Sequence, residues 1–289
     1  LLHVINHAIF KSLLFLGAGS ILHASDTREI DHLGGLLKRM PVTGLVFLVG
    51  SVAICGLPPL NGFVSEFMIY VASFRVFTET PRLSTSALGA GLVVVGSLAL
   101  IGGLAAACFT KAFGVMFLGE PRSDHAAHVH EAGPAMRIPM MVLAALCLAI
   151  GLSGPVMIGF LEPAVGVLTG TEVGLFPDLG WAGHALRMIT ITAAGILILA
   201  ALFAWLRSRL LAGKPVSAAV TWDCGYIAPN PRMQYTASSF AEPTTRLFRI
   251  FLRTRQRFVP PSGLFPAASS FASHTPDVYR ERMYRPAFA

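Results

Sequence analysis

The sequence predicts an all-α, polytopic membrane protein: about five transmembrane helices, one of them discontinuous, followed by a basic cytoplasmic C-terminal extension. Three observations carry that prediction. The 289 residues are 54% hydrophobic and 13% charged, with a mean hydropathy of +0.66, whereas soluble domains are about one quarter charged. Apolar runs long enough to cross a bilayer recur at residues 1–22, 42–74, 88–118, 139–160 and 188–206. The second run is broken by a Gly/Pro cluster, and lone ionisable residues interrupt the apolar character of the first three.

The first run carries His3, His7 and Lys11. At i, i+4 and i+8 they lie about 40° apart around a helix and so share one side. A neutral imidazole can donate and accept a proton, and burial disfavours the charged form of a lysine, so proton transfer near neutral pH is within reach of this set. The plainer reading has the histidines hydrogen bonding between helices and Lys11 snorkelling to an interface. Lys11 sits mid-run, too deep to reach water easily.

In the second run, Gly56, Pro58, Pro59, Asn61 and Gly62 predict a break, with the helix restarting near Phe63. Non-helical backbone at membrane depth is tolerated only where it is buried in protein or lines a watery cavity. Glu66 follows as the only charged side chain between Pro41 and Phe74, with Asn61 and Ser65 nearby as hydrogen-bonding groups. A carboxylate beyond a broken helix suits an ion site in a transporter; the alternative is a proline kink beside a protonated, structural Glu.

These two stretches, HVINHAIFKSLLFLGAGSILHA and GLPPLNGFVSEFMIY, resemble the antiporter-like proton-translocating subunits of respiratory complex I and its relatives. That resemblance implies a fold of many membrane helices with discontinuous ones in inverted repeats. It also implies that Lys11, with His3 and His7, belongs to a central proton path that Glu66 ends, as a glutamate where some relatives have lysine. The chain opens at Leu1 inside an apolar run, with no initiator Met and no cleavage signal, and is expected to be part of a longer protein whose symmetry-related first half lies outside it.

The third run holds one charge, Lys111, about two turns from its end. Snorkelling explains it, but CFTKAFGVMFLG also resembles the family helix in which a lysine near this end serves proton access, so Lys111 ranks behind Glu66 and Lys11. Residues 26–40 read as a short turn of mixed charge. Residues 120–136 read as a solvated loop, because His125, His128 and His130 have no thiol or recognised ligand pattern beside them; no metal is expected. The loop at 162–187, with Glu162, Glu172, Asp178 and Trp181, reads as periplasmic and interfacial.

If the segments alternate, Arg28, Lys38, Arg39, Arg122, Arg137, Arg207, Arg209 and Lys214 fall on one side and Arg75, Arg82 and Arg187 on the other. That excess makes the first side cytoplasmic. It also explains much of the +7 net charge without nucleic acid, for which there is no motif. Cys55, Cys108, Cys147 and Cys224 stand singly, and neither a dinucleotide fingerprint nor a phosphate loop is present, so no cofactor, redox centre or catalytic residue is expected in the chain itself.

Residues 1–206 therefore read as the C-terminal part of an antiporter-like transmembrane domain plus a following membrane helix, and 207–289 as the extension. Within the latter, TWDCGYIAPNPRMQYTASSFAEP resembles the corresponding region of the hydrogenase-4 component B and formate hydrogenlyase subunit 3 branch, the group 4 hydrogenases. Arg246, Arg249, Arg253 and Arg257 interleave with Leu247, Phe248, Phe251 and Phe258, predicting a basic amphipathic helix over residues 245–258. The tail beyond Val259 is expected to be weakly ordered alone, and to stop where relatives continue into a final membrane helix. The resemblance implies a proton-translocating subunit in a bacterial or archaeal cytoplasmic membrane, bound to lipid and to other membrane and redox subunits of a hydrogenase or NADH dehydrogenase type of oxidoreductase. A Mrp-type cation/proton antiporter subunit without a redox partner, or a membrane anchor that does not transport, is the alternative.

Overall fold

The computed structural model describes residues 1–79, 85–170, 180–215, 230–266 and 268–288. Arg82, Glu172, Asp178, Cys224 and the TWDCGYIAP stretch at 221–229 lie outside the described residues, as does the side chain of Trp181. Contacts divide the chain into two units, Leu1–Met233 and Gln234–Ala289.

The first unit is helical. Helix α1 (Leu2–Ser25) ends with Asp26 in the left-handed region, its N–H returning to the Leu22 carbonyl. Helix α2 (Pro41–Ile54) starts with proline at a position where its missing N–H costs nothing. It ends in a Schellman arrangement: Gly56 at φ 63°, Gly56 N–H to Ala53 O at 3.1 Å and Leu57 N–H to Val52 O at 3.3 Å. Helix α3 (Asn61–Glu79) begins two residues earlier than the sequence predicts and takes Gly62 into its first turn. Gly62 fits there because it has no Cβ, which would collide with the Ala53 carbonyl of α2. Helix α4 (Thr85–Phe117) and α8 (Gly180–Leu211) match the third and fifth apolar runs and begin ahead of them. Among the described residues four helices, α1, α4, Pro134–Leu152 and α8, are long and apolar enough to cross a membrane.

The fourth run departs from expectation. Residues 139–160 do not form one helix but parts of two, α6 (Pro134–Leu152) and α7 (Gly154–Thr169), divided at Ser153. The cause is local: Ser153 caps α6 through its N–H to Ala149 O, and Pro155 is suited to a helix start. The loops also differ. Residues 26–40 form two 3-10 turns, Ile30–His32 and Leu36–Lys38, and bury Leu33, Leu36 and Met40. Residues 120–136 include a short helix α5 (Asp124–Ala127) and bury Ala126, Val129 and Ala132, so they are packed rather than merely solvated.

Two apolar clusters fill this unit. One joins Leu14 and Ile21 of α1, Phe47 of α2 and Phe117 of α4 to Leu36, Met40 and Val129 of the two loops. The other lies at the level of the break and gathers Phe10, Leu13, Val46, Ala53, Leu60, Met140 and Cys147.

In the second unit the basic helix expected over 245–258 is replaced. Helix α9 (Ala237–Leu247) starts with a Thr236/Ser239 capping box, and the single turn α10 (Arg249–Leu252) stops where Arg253 enters the left-handed region at φ 51°. Strand β1 (Arg255–Val259) then pairs antiparallel with β2 (Ser270–His274), Phe258 opposite Phe271. Arg253, Arg255 and Arg257 recur every second residue, a strand period that the helical spacing of the other arginines masks. Strand β2 lies beyond Val259, and α11 (Arg285–Phe288) closes the unit.

Candidate functional site

The site is built where α1 crosses α3. His3 and Asn6 lie one turn apart on α1, and Asn61 and Ser65 one turn apart on α3, so each pair presents one face. His3 Nδ1 is 3.1 Å from Ser65 Oγ, and Ser65 Oγ donates back to Gly62 O at 3.0 Å. One turn along, Asn6 Nδ2 donates to Asn61 O at 2.8 Å, while Asn61 Nδ2 reaches Asn6 Oδ1 at 3.3 Å and Asn6 O at 3.4 Å. Both asparagines have 0% exposure. Buried amides in an apolar run cost free energy unless paired, and here the NH₂ group of each is received by the other residue.

Asn6 was not among the residues that sequence pattern singled out. The signal was present: an amide between two histidines in a spanning run falls under the same rule that marks the histidines.

Glu66 lies one turn beyond Gly62, half-buried, with its side chain directed back over the Schellman turn. Its carboxylate occupies the space that a Cβ on Gly56 would need. The break therefore brings together Gly56, Pro58, Pro59, Asn61, Gly62 and Glu66, as their spacing implies. Pro58 and Pro59 also line an apolar cleft of ≈ 320 Å³ against Met188, Thr192 and Ile196 of α8.

The ladder on α1 is not a closed chain of hydrogen bonds. His3 and His7 rings are 6.0 Å apart, and the exposed His7 meets Phe10 edge-on at 5.4 Å. Lys11 is half-buried with Nζ 5.7 Å from the centre of the Phe15 ring, itself 71% exposed. Among the described residues no hydrogen bond or ion pair joins Lys11 or Lys111 to Glu66; Lys111 sits half-buried on α4. Cys55, Cys108 and Cys147 are free thiols, and no cluster of His, Cys, Asp or Glu able to hold a metal occurs among the described residues.

A second polar assembly, unmarked by sequence, ties the two packed loops to the N-terminus of α2. Glu131 accepts from the N–H groups of Val42 at 2.8 Å and Thr43 at 3.4 Å and from Thr43 Oγ1 at 2.5 Å, and Thr43 Oγ1 lies 3.2 Å from Ser20 Oγ on α1. A carboxylate at a helix N-terminus serves both the unpaired N–H groups and the helix dipole. Around it, Lys38 pairs with Glu120 at 2.7 Å, Arg122 with Asp31 at 3.8 Å, Arg39 donates to Ala127 O and Ser123 Oγ to His32 O at 2.6 Å. Burial pushes the Arg122 guanidinium down from its usual range, and Asp31 opposes that shift.

Residues 1–92 match the family described as NADH:quinone oxidoreductase/Mrp antiporter, transmembrane. The chain is 34% identical over 302 residues to hydrogenase-4 component B of Escherichia coli (strain K12), covering 99% of this chain and 43% of the relative. It is 35% identical over 269 residues to formate hydrogenlyase subunit 3 of the same organism, covering 92% and 41%. With Na(+)/H(+) antiporter subunit A1 of Staphylococcus saprophyticus it shares 30% identity over 243 residues, covering 81% and 29%. The chain thus spans about two fifths of the length of the first two relatives.

Proposed function

We propose, from the match of residues 1–92 to the NADH:quinone oxidoreductase/Mrp antiporter family and the similarity to hydrogenase-4 component B, that the chain belongs to the proton-translocating membrane subunit of a hydrogenase-4-like or formate-hydrogenlyase-like oxidoreductase. The observation that carries the reading is Glu66: one carboxylate folded over a helix break whose other groups are neutral, next to a helix bearing His3, His7 and Lys11. Protons move stepwise among His3, His7, Lys11 and Glu66, with Lys111 serving access, while electron transfer in partner subunits changes the field or hydration around them. The chain itself binds no cofactor and supplies no redox centre.

The protein works in a bacterial or archaeal cytoplasmic membrane. Residues 1–206 form the membrane part and 207–289 the extension; with α6 and α7 together taken as one crossing, the packed loops at 26–40 and 120–136 and the tail lie on the cytoplasmic side, where eight of eleven counted basic residues then fall. An antiporter subunit without redox partner is the second reading, supported by the similarity to a Na(+)/H(+) antiporter subunit. The longer coverage of this chain by the hydrogenase-4 component favours the first.

The test is purification of the protein from native membranes with its companions. Nickel-iron or iron–sulfur subunits are expected to co-purify; their reproducible absence, with antiporter subunits in their place, overturns the redox assignment in favour of the second reading.

A further inference from the structure

The C-terminal unit takes no part in the proposed proton path. Its hairpin, β1 with β2, is exposed at every strand residue. A two-stranded hairpin is marginal in water by itself, so this one is completed by whatever lies against it.

Followed from its turn backwards, the hairpin passes from apolar to basic. In the turn, Leu264 and Phe265 are 94% and 96% exposed, more than any other large hydrophobic side chain among the described residues. Phe258 and Phe271 come next, paired across the strands with rings 6.2 Å apart and edge to face. Behind them stand Arg257 opposite Ala272 and Arg255 opposite His274, with Arg253 just ahead of the strand. The charge is uncompensated: residues 243–276 contain five arginines and no Asp, Glu or Lys. Among the described residues no ion pair joins Arg253, Arg255 or Arg257 to an acid.

We propose that this hairpin docks tip-first on an anionic lipid leaflet, with Leu264 and Phe265 in its apolar edge and Arg253, Arg255 and Arg257 on headgroup phosphates. The inference concerns the extension and does not depend on the proton-path reading. Three arguments select lipid. A leaflet sets phosphates in front of hydrocarbon, the order in which the hairpin presents arginines and tip, whereas an acidic protein surface answers the arginines and leaves the tip in water. The spacing also fits. A rise of about 3.4 Å per residue puts Arg257 about 7 Å and Arg255 about 14 Å behind Val259, and interfacial apolar groups settle about 5–10 Å into the headgroup/acyl boundary. Seating the tip therefore brings the guanidinium groups to the phosphates, which they grip through paired N–H donors as lysine cannot. Finally, residues 212–233 join the unit to the end of α8, a helix able to cross a membrane, and reach at most about 80 Å. That tether holds the hairpin at high local concentration near a bilayer, so contacts too weak to recruit a free protein suffice.

The test uses the full complex with the photoreactive analogue p-benzoylphenylalanine in place of Phe265. It is carried out in nanodiscs of mixed phosphatidylglycerol and phosphatidylcholine and in nanodiscs of phosphatidylcholine alone. Illumination joins the ring to whatever touches it, and mass spectrometry identifies the adduct. Phospholipid adducts are expected in the mixed nanodiscs and far fewer in phosphatidylcholine. Combining Arg253→Gln, Arg255→Gln and Arg257→Gln is expected to weaken docking about a hundredfold, at about fivefold per arginine near an anionic surface, and to lower the adduct to the phosphatidylcholine level. The corresponding triple Lys variant, equal in charge, retains the adduct. Adducts to polypeptide in place of lipid, or no adduct in either nanodisc, overturn the docking. Equal lipid adducts in both nanodiscs, or an undiminished yield in the Gln variant, overturn the recognition of anionic headgroups and with it the proposal. Should the Gln variant not assemble, the two lipid compositions decide alone.

Discussion

The two ends of helix α2 meet the same difficulty in opposite ways. At its start, the free N–H groups are served by a charged residue, Glu131, set in a mesh of ion pairs and hydrogen bonds that fastens residues 26–40 to 118–131. At its end, inside the apolar runs, the backbone is closed by neutral means: a Schellman turn at Gly56, two prolines and a reciprocal asparagine pair. Fixed charges near the membrane surface cost little and give rigidity. Within the bilayer an extra charge would cost several kcal/mol, and neutral closure leaves Glu66 as the one carboxylate between Pro41 and Phe74. On the proposed path, the difference separates a structural use of charge from a functional one.

The comparison breaks most visibly at Glu66. Replacing it by Gln keeps shape and removes the titration; proton uptake in vesicles bearing the complex is expected to vanish, with assembly intact on native gels. Wild-type uptake would make Glu66 a kink residue and the two ends of α2 alike. The next largest effect is expected at Lys11. Lys11→Ala abolishes uptake, and Lys11→Arg does nearly as much damage, because a guanidinium does not give up its proton. Normal pumping by the Arg variant would reduce Lys11 to a fixed charge.

Smaller and purely structural effects sharpen the contrast from the other side. Gly62→Ala drives a methyl group into the Ala53 carbonyl; a loss of about 1–3 kcal/mol is expected, the usual cost of overpacking, read as a lower thermal midpoint of the purified complex. Unchanged stability would show that the break is more pliable than its packing implies. Glu131→Ala removes the cap from α2 and is expected to cost about 1–2 kcal/mol of stability while leaving uptake at its original rate. A large loss of uptake with stability preserved would move Glu131 from scaffold to proton path.

Much of the membrane architecture was legible in the amino-acid sequence, because the bilayer forces its rules on composition. Polar residues stand out against apolar runs, and Gly56, Pro58 and Pro59 punctuate theirs. The same punctuation stands at Gly151, Ser153, Gly154 and Pro155, where apolar neighbours on both sides concealed a division between two helices. The Asn6–Asn61 pairing was half visible: each amide could be noticed, but which partner it meets depends on how α1 crosses α3. The mesh around Glu131 was not legible at all, since its contacts join residues 82 to 91 positions apart and each loop by itself looks like ordinary polar connection. In the tail, arginines spaced for a helix also fit a strand, and Arg253 at positive φ decides between them.

Helix α2 contains 14 residues and so extends about 21 Å, roughly two thirds of a hydrocarbon layer about 30 Å thick. The Glu66 carboxylate lies against Gly56, just past the end of this short helix. On the proposed path, a proton that reaches Glu66 from either face has crossed only part of the dielectric barrier. The full crossing is worth about 2.3 kcal/mol per 100 mV of membrane voltage, and each partial step carries its share. On that path, proton occupancy of this carboxyl group is expected to follow the electrical potential across the membrane as well as the pH at either face.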